Sequence, residues 1–415
     1  MGERGPEESD IQPYSIAVDE DRLQRLHRKL KLTDLPTELQ SDTASEWSRG
    51  PPAAAIHELA QYWIHDFDWR KAEAKLNDSL PQYMTSISVD DHGDYDVHFV
   101  HQKSQNVDAI PVLFLHGWPG SFYEAAKILK PLTDGVNGEP SFHVVAPSLI
   151  DHGFSGGSRT ADFHIDQHTE LVHKLMLKLG YDHYVAQGGD TGYLICRLLA
   201  RHYPTHCLAH HINMSVPNEP SRTNHPDIYQ KWVTAGGFEG LSDSEKLQLS
   251  NTQNFLKEGS AYFAIHSTRP MASAYSMTDS PVGLLAWIYD KLHVWTDDYK
   301  WTSDEILTWV SIYYFSTAGP AASFNTYYSN HHRRPLTAFE QAVEYIDVPV
   351  GVSRFDKEIL HMPKLWDLTL GPIVFQAEHF EGGHFAAVEK PELLVGDLRK
   401  MFGRGLVEKL FPRRG

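Results

Sequence analysis

The run Gly188-Gly189-Asp190-Thr191-Gly192 puts one carboxylate in a turn of small residues. On its own the run suits an ordinary Gly/Asp turn. Its flanks change that reading. An apolar strand-like run at 183–187 precedes it, and a helix-like run at 194–201 follows. A strand–turn–helix elbow pushes its central side chain out at the C-terminal edge of a sheet. The helix N-terminus then offers free N–H groups to developing negative charge. Residue type selects the chemistry. A serine attacking a saturated carbon leaves an ether, which water does not readily cleave. A carboxylate leaves an ester, which water cleaves at the carbonyl. Asp190 is therefore expected to attack an alkyl electrophile, an epoxide or an alkyl halide.

Ester cleavage needs a base for water. For an elbow nucleophile the chain order is nucleophile, acid, base. The last strand-like run, 371–377, leads into Glu381-Gly382-Gly383-His384. His384, freed by two glycines, is the preferred base over its neighbour His379, in a chain with 25 histidines. The acid belongs after the preceding strand, where loop 353–360 offers Asp356 and Glu358. It would fix the imidazole tautomer and stabilise the imidazolium. The turn His116-Gly117-Trp118-Pro119-Gly120 follows the first strong strand. The backbone N–H groups of Trp118 and Thr191 are the expected oxyanion hole, with His116 structural.

These groups need a scaffold of alternating strands and helices. Residues 110–115 are a short apolar run ending in a Gly/Pro turn, as in a buried parallel strand. Helix-like 122–130, strand-like 142–148, a helix closed by Gly180, the elbow strand and a helix stopped by Pro204 follow. The expected fold class is α/β, with a mostly parallel sheet covered on both faces. The alternation stops near 216 and resumes with strand-like runs at 346–353 and 371–377. Four segments result: an N-terminal extension over 1–100, a first core half over 101–215, a mainly helical lid over 216–335 and a second core half over 336–415. The lid is rich in aromatics (Trp287, Trp295, Trp301, Trp309, Tyr313, Phe315), which suit either an apolar substrate or packing of the lid itself.

Composition narrows the partners. Hydrophobic residues make up 41% and aromatics 12%, ample for a packed interior, while a formal charge of −17 argues against nucleic acid or anionic membrane. Cys196 and Cys207 make no disulfide framework and no C-x-x-C site, so a reducing compartment is expected. No run approaches the roughly 18 apolar residues of a membrane anchor, and the charged N-terminus does not read as a signal peptide. The expected location is cytoplasmic. His57-Glu58 and His65 miss the H-E-x-x-H spacing, no Walker or Rossmann glycine pattern occurs, and His331-His332-Arg333-Arg334 reads as a solvated lid loop. Neither cofactor nor metal is expected.

Taken together, HGWPGSF, GGDTG and EGGHFAA followed by EKP resemble the microsomal-type epoxide hydrolases, especially their soluble fungal members. The resemblance covers nearly the whole chain, including the N-terminal PYSIAVDEDRLQRLHRKLKLTDLP, which looks like that family's wrapping segment. It implies an α/β-hydrolase fold and cofactor-free conversion of an epoxide to a vicinal diol. Asp190 falls on the family's nucleophile, His384 on its base and Glu358, not Asp356, on its acid. It also implies two lid tyrosines that donate to the ring oxygen: Tyr262 in GSAYFAIHSTRP, and Tyr327, with Tyr328 as the alternative, in YYFSTAGPAASFNTYYS. The implied partners are a small hydrophobic epoxide and water, and a homodimer is compatible. Two other functions share parts of this pattern. A haloalkane dehalogenase usually carries Trp after its nucleophile, where this chain has Thr191. A non-catalytic ligand binder would tend to lose a triad member, and none is missing here.

Overall fold

A computed structural model describes residues 10–38, 47–135 and 138–411. Short Val- and Leu-rich runs bury both faces of a central sheet. In β4 (Ile110–Leu115), Ile110, Val112 and Phe114 join one apolar cluster, while Leu113 and Leu115 join another. This is the period-two side-chain alternation of a strand, with cover on each side. The other strands are β1 (Gln12–Pro13), β2 (Gln82–Val89), β3 (Gly93–Gln102), β5 (Phe142–Pro147), β6 (Tyr184–Gly188), β7 (Cys207–Ile212), β8 (Val350–Lys357) and β9 (Ile373–Gly383). They form one sheet in the order β1-β2-β3-β5-β4-β6-β7-β8-β9. Pairing is antiparallel from β1 through β3 to β5 and parallel from β5 to β9. This is the α/β class expected from the strand–helix alternation.

Two parts of the sheet were not read from sequence. β1, β2 and most of β3 lie before residue 100, in the segment expected to be only a packed extension, and β3 pairs with β5. Their alternation is diluted by Ser, Thr, Asp and His on half-buried faces. β7 reads CLAHHI, and His210 and His211 break its apolar run although both are buried.

The N-terminal helices Glu20–Lys31, Ala53–His65 and Trp69–Ser79 brace the helical segment. Arg22 donates to the Tyr314 and Ser316 carbonyls at 3.4 and 3.5 Å, Tyr62 bonds Asp304 at 3.1 Å, and Trp69 packs on Phe315. Between β7 and β8 the chain is helix and turn, including helices Ala261–Thr268 and Phe324–His332, which pack on each other. Arg333, expected in a solvated loop, is instead held by Asp166 and the Leu336 carbonyl, and His331 and His332 end the second of these helices. The expectation failed because Asp166 lies far away in sequence.

Arg197, on helix Asp190–His202, ties the first core half to the second. Its guanidinium is fully buried and donates to the carbonyls of Ala342, Glu344 and Leu370 at 2.7–2.8 Å. Three backbone acceptors offset the cost of burying this charge. The helix behind the elbow is thereby fixed against the strands that carry the other site residues.

Candidate active site

The candidate nucleophile, acid, base and oxyanion turn each stand just past the C-terminal end of a strand: the His116–Gly120 turn after β4, Asp190 after β6, Glu358 after β8 and His384 after β9. In open α/β sheets this edge is where ligands bind. Asp190 adopts φ +50°, a left-handed conformation rare for a side chain bearing a Cβ. The elbow tolerates it because its neighbours are small. A Cβ on Gly192 would lie 2.3 Å from the Leu115 carbonyl oxygen, and one on Gly117 would lie 2.2 Å from Asp190 Oδ1.

That last approach is productive. The Trp118 N–H donates to Asp190 Oδ1 at 2.9 Å, and the Thr191 hydroxyl donates to the same oxygen at 3.1 Å. The expected Trp118 donor is thus aimed at the carboxylate. From Thr191 the bond seen is the hydroxyl's, which sequence reasoning did not anticipate. His116 is buried, holds the Gly117 carbonyl and accepts the Leu149 N–H, a structural role.

His384 Nδ1 lies 2.7 Å from Glu358 Oε1, which also accepts the Ile359 N–H at 2.7 Å. Its Nε2 lies 3.8 Å from Asp190 Oδ2, beyond a direct hydrogen bond. Burial alone would push this imidazole down. The Glu358 carboxylate, helped by Asp190 and Glu124, outweighs burial and raises it to about 9. The competitors lie elsewhere. Asp356 meets Gln248 and Lys357, and His379 pairs with Asp397 at 2.5 Å. Glu389, unrecognised in the sequence, holds the His384 loop by accepting the N–H groups of Gly383, Phe385 and Asp297.

Tyr262 and Tyr327 face each other edge to face, with ring centroids 6.1 Å apart. Trp118 stacks on Tyr262 at 5.1 Å and meets Tyr327 edge-on at 5.9 Å. Burial, followed by the Asp190 charge, raises both phenols well above 10, so both remain protonated. The hydroxyls interact, yet that of Tyr327 makes no hydrogen bond of acceptable geometry. A buried unpaired hydroxyl of this kind is a donor available to a ligand. Tyr328 stacks on His332 instead.

Both tyrosines line an apolar cavity of about 480 Å³ that reaches Asp190. This is within the size range of small-molecule sites. Its other walls include Leu194, Met214, Phe255, Phe263, Phe339 and Met362. None of the six lid aromatics singled out in the sequence lines it. Trp309 and Tyr313 bond the Pro119 and Gly120 carbonyls, and Trp295 packs over His384. Those aromatics are packing. Glu124 was read only as part of a helix, yet it lines a small polar space beside Asp190 and His384. Among the described residues, no cluster of His, Cys, Asp or Glu could hold a metal ion, and no helix is long and apolar enough to cross a membrane.

Comparison with known proteins identifies the family and the fold. A profile described as the epoxide hydrolase N terminus matches residues 11–125, and one described as the alpha/beta hydrolase fold matches 110–327. Epoxide hydrolase 1 of Oryctolagus cuniculus is 32% identical, over 98% of this chain and 91% of its own. The structure of Aspergillus niger epoxide hydrolase superposes with a TM-score of 0.82 at 32% identity, covering 96% of each chain. The juvenile hormone epoxide hydrolase of Bombyx mori gives 0.84 at 26% identity, over 97% of this chain and 96% of that one. The chain therefore belongs to the epoxide hydrolases of α/β-hydrolase fold.

Proposed function

We propose that this enzyme opens a small hydrophobic epoxide in two steps through an ester on Asp190. The supporting observation is the position of Asp190 between the two lid tyrosines and the Glu358–His384 pair. The Asp190 carboxylate attacks one ring carbon from the back, and the C–O bond breaks. Tyr262 and Tyr327 donate to the departing oxygen as general acids. The product is a hydroxyalkyl ester. His384, oriented by Glu358, then takes a proton from water, which attacks the Asp190 carbonyl carbon. The backbone N–H groups of Trp118 and Thr191 hold the tetrahedral oxyanion, each worth about 3–4 kcal/mol in comparable sites. Collapse breaks the ester C–O bond and the His384 proton passes to the leaving alkoxide, releasing the diol. The proton left on the Asp190 carboxyl returns to the tyrosine that protonated the ring oxygen, which restores both groups.

One turnover in heavy-oxygen water, with enzyme in large excess, tests this. Label is expected in Asp190 and not in the diol. Label in the diol at first turnover would mean direct attack of water on the ring. Residues 1–100, 101–215, 216–335 and 336–415 remain the working division into extension, core half, lid and core half. The two buried free thiols of Cys196 and Cys207 support a reducing, cytoplasmic setting.

A further inference from the structure

Asp190 borders two spaces. The large apolar cavity holds Tyr262 and Tyr327. The second space, of about 20 Å³, is lined by Gly117, Glu124, Gln187, Asn213 and His384 as well as Asp190. Asp190 is the only residue common to both walls. The second space is too small for an epoxide and large enough for about one water. Its walls are polar where a water would need partners. Gln187 donates to Asn213 Oδ1 at 2.8 Å, and its own buried Oε1 has no partner. His384 lines this space and not the apolar cavity. So does Glu124, whose Oε1 lies 1.7 Å from where a Cβ on Gly120 would sit. Only glycine there admits the carboxyl.

We infer that Glu124 positions the hydrolytic water in this chamber, on a different side of Asp190 from the substrate. The inference rests on the ester mechanism above. Water gives one proton to His384 Nε2 and directs its other O–H to the Glu124 carboxyl. Its oxygen lone pair then faces the Asp190 carbonyl carbon. A C–O bond forms there, the ester C–O bond breaks, and the proton on His384 passes to the leaving alkoxide, while the water's second proton, left on the Asp190 carboxyl, replaces the one the lid tyrosines gave to the ring oxygen. Glu124 ends as it began.

A structural role competes. Glu124 accepts a hydrogen bond from the Ser121 backbone, the S-x-x-E arrangement of a helix cap. Glutamine caps equally well, so Glu124→Gln separates the two roles. With styrene oxide as the probe, rapid quench and intact mass should show the ester forming at the wild-type rate. It should then decay about 10- to 100-fold more slowly, the scale of a misplaced reactant. His384→Gln is run alongside. Ester that persists in His384→Gln but decays at the wild-type rate in Glu124→Gln overturns the assignment of Glu124 alone. So does equal slowing of both steps in Glu124→Gln, which marks a general structural defect. Absence of ester in His384→Gln overturns the mechanism beneath it. Should Glu124→Gln not fold, Glu124→Asp, which retracts the carboxyl by one methylene, reads the same two rates.

Discussion

The charge on His384 should change during turnover, and that change is measurable. In the free enzyme the Glu358 carboxylate, helped by Asp190, outweighs burial and holds the imidazole at about 9, so at neutral pH it is an imidazolium and no base. Ester formation removes one of those charges. Asp190 Oδ2 stands 3.8 Å from Nε2. At an effective dielectric constant near 20, a pair at that distance is worth about 4 kcal/mol, or about 3 pH units. The Asp190 side chain is 17% exposed, so solvent screening reduces this, and a fall of about 1–3 units is expected. The ester intermediate would then carry a neutral His384 at or just above neutral pH, when a base is needed. The assay forms ester by rapid mixing, jumps the pH and follows ester decay. Decay should accelerate with rising pH, with a midpoint clearly below 9. The free-enzyme value is read from the histidine NMR signal that disappears in His384→Gln. Equal midpoints in the two states would refute the coupling, and with it His384 as the base for that water. Stability follows the same titration. The folded value lies above the unfolded one near 6.5, so protonated His384 stabilises the fold below that pH, and the contribution is lost as pH rises through 9.

Two further outcomes follow from the geometry. Tyr262→Phe and Tyr327→Phe should each lower the rate of ester formation about 10- to 100-fold, the scale of one hydrogen bond to a charged oxygen, with little effect on ester decay; Tyr328→Phe should leave both steps unchanged. Gly192→Ala should cost about 1–3 kcal/mol in denaturant unfolding, because its Cβ would meet the Leu115 carbonyl oxygen at 2.3 Å. Wild-type stability in that variant would show that the elbow is not tightly packed.

What could be read from sequence divides along a physical line. Asp190, the Trp118 turn and His384 were legible because each is local: an apolar strand, a glycine and a side chain, consecutive in the chain. Between Asp356 and Glu358 nothing local decides, since only the fold brings His384 to Glu358 Oε1. Tyr262 and Tyr327, among 19 tyrosines, came through the family resemblance alone. β7 was hidden by His210 and His211, whose partners, Arg197 and Ser353, are distant in sequence. Glu124 was hidden differently. Its spacing from Ser121 fits a helix cap, and what makes it unusual is the absence of a side chain at Gly120.

The proposed mechanism separates two reactions that would otherwise interfere. Water reaching the epoxide directly would open it without the enzyme choosing the carbon. In that mechanism the largely apolar walls of the large cavity receive the epoxide, while Glu124, Gln187, Asn213 and His384 line the small chamber. Asp190 is the one residue that lines both. On the proposed mechanism, attack by its carboxylate inverts one ring carbon, within reach of Tyr262 and Tyr327. Water then attacks the carboxyl carbon and leaves every substrate C–O bond as it found it. The configuration of the diol is therefore settled in the large cavity, and the groups around the chamber act on rate alone. A serine at position 190 could not divide the work this way, because its ether would present no carbonyl to the water.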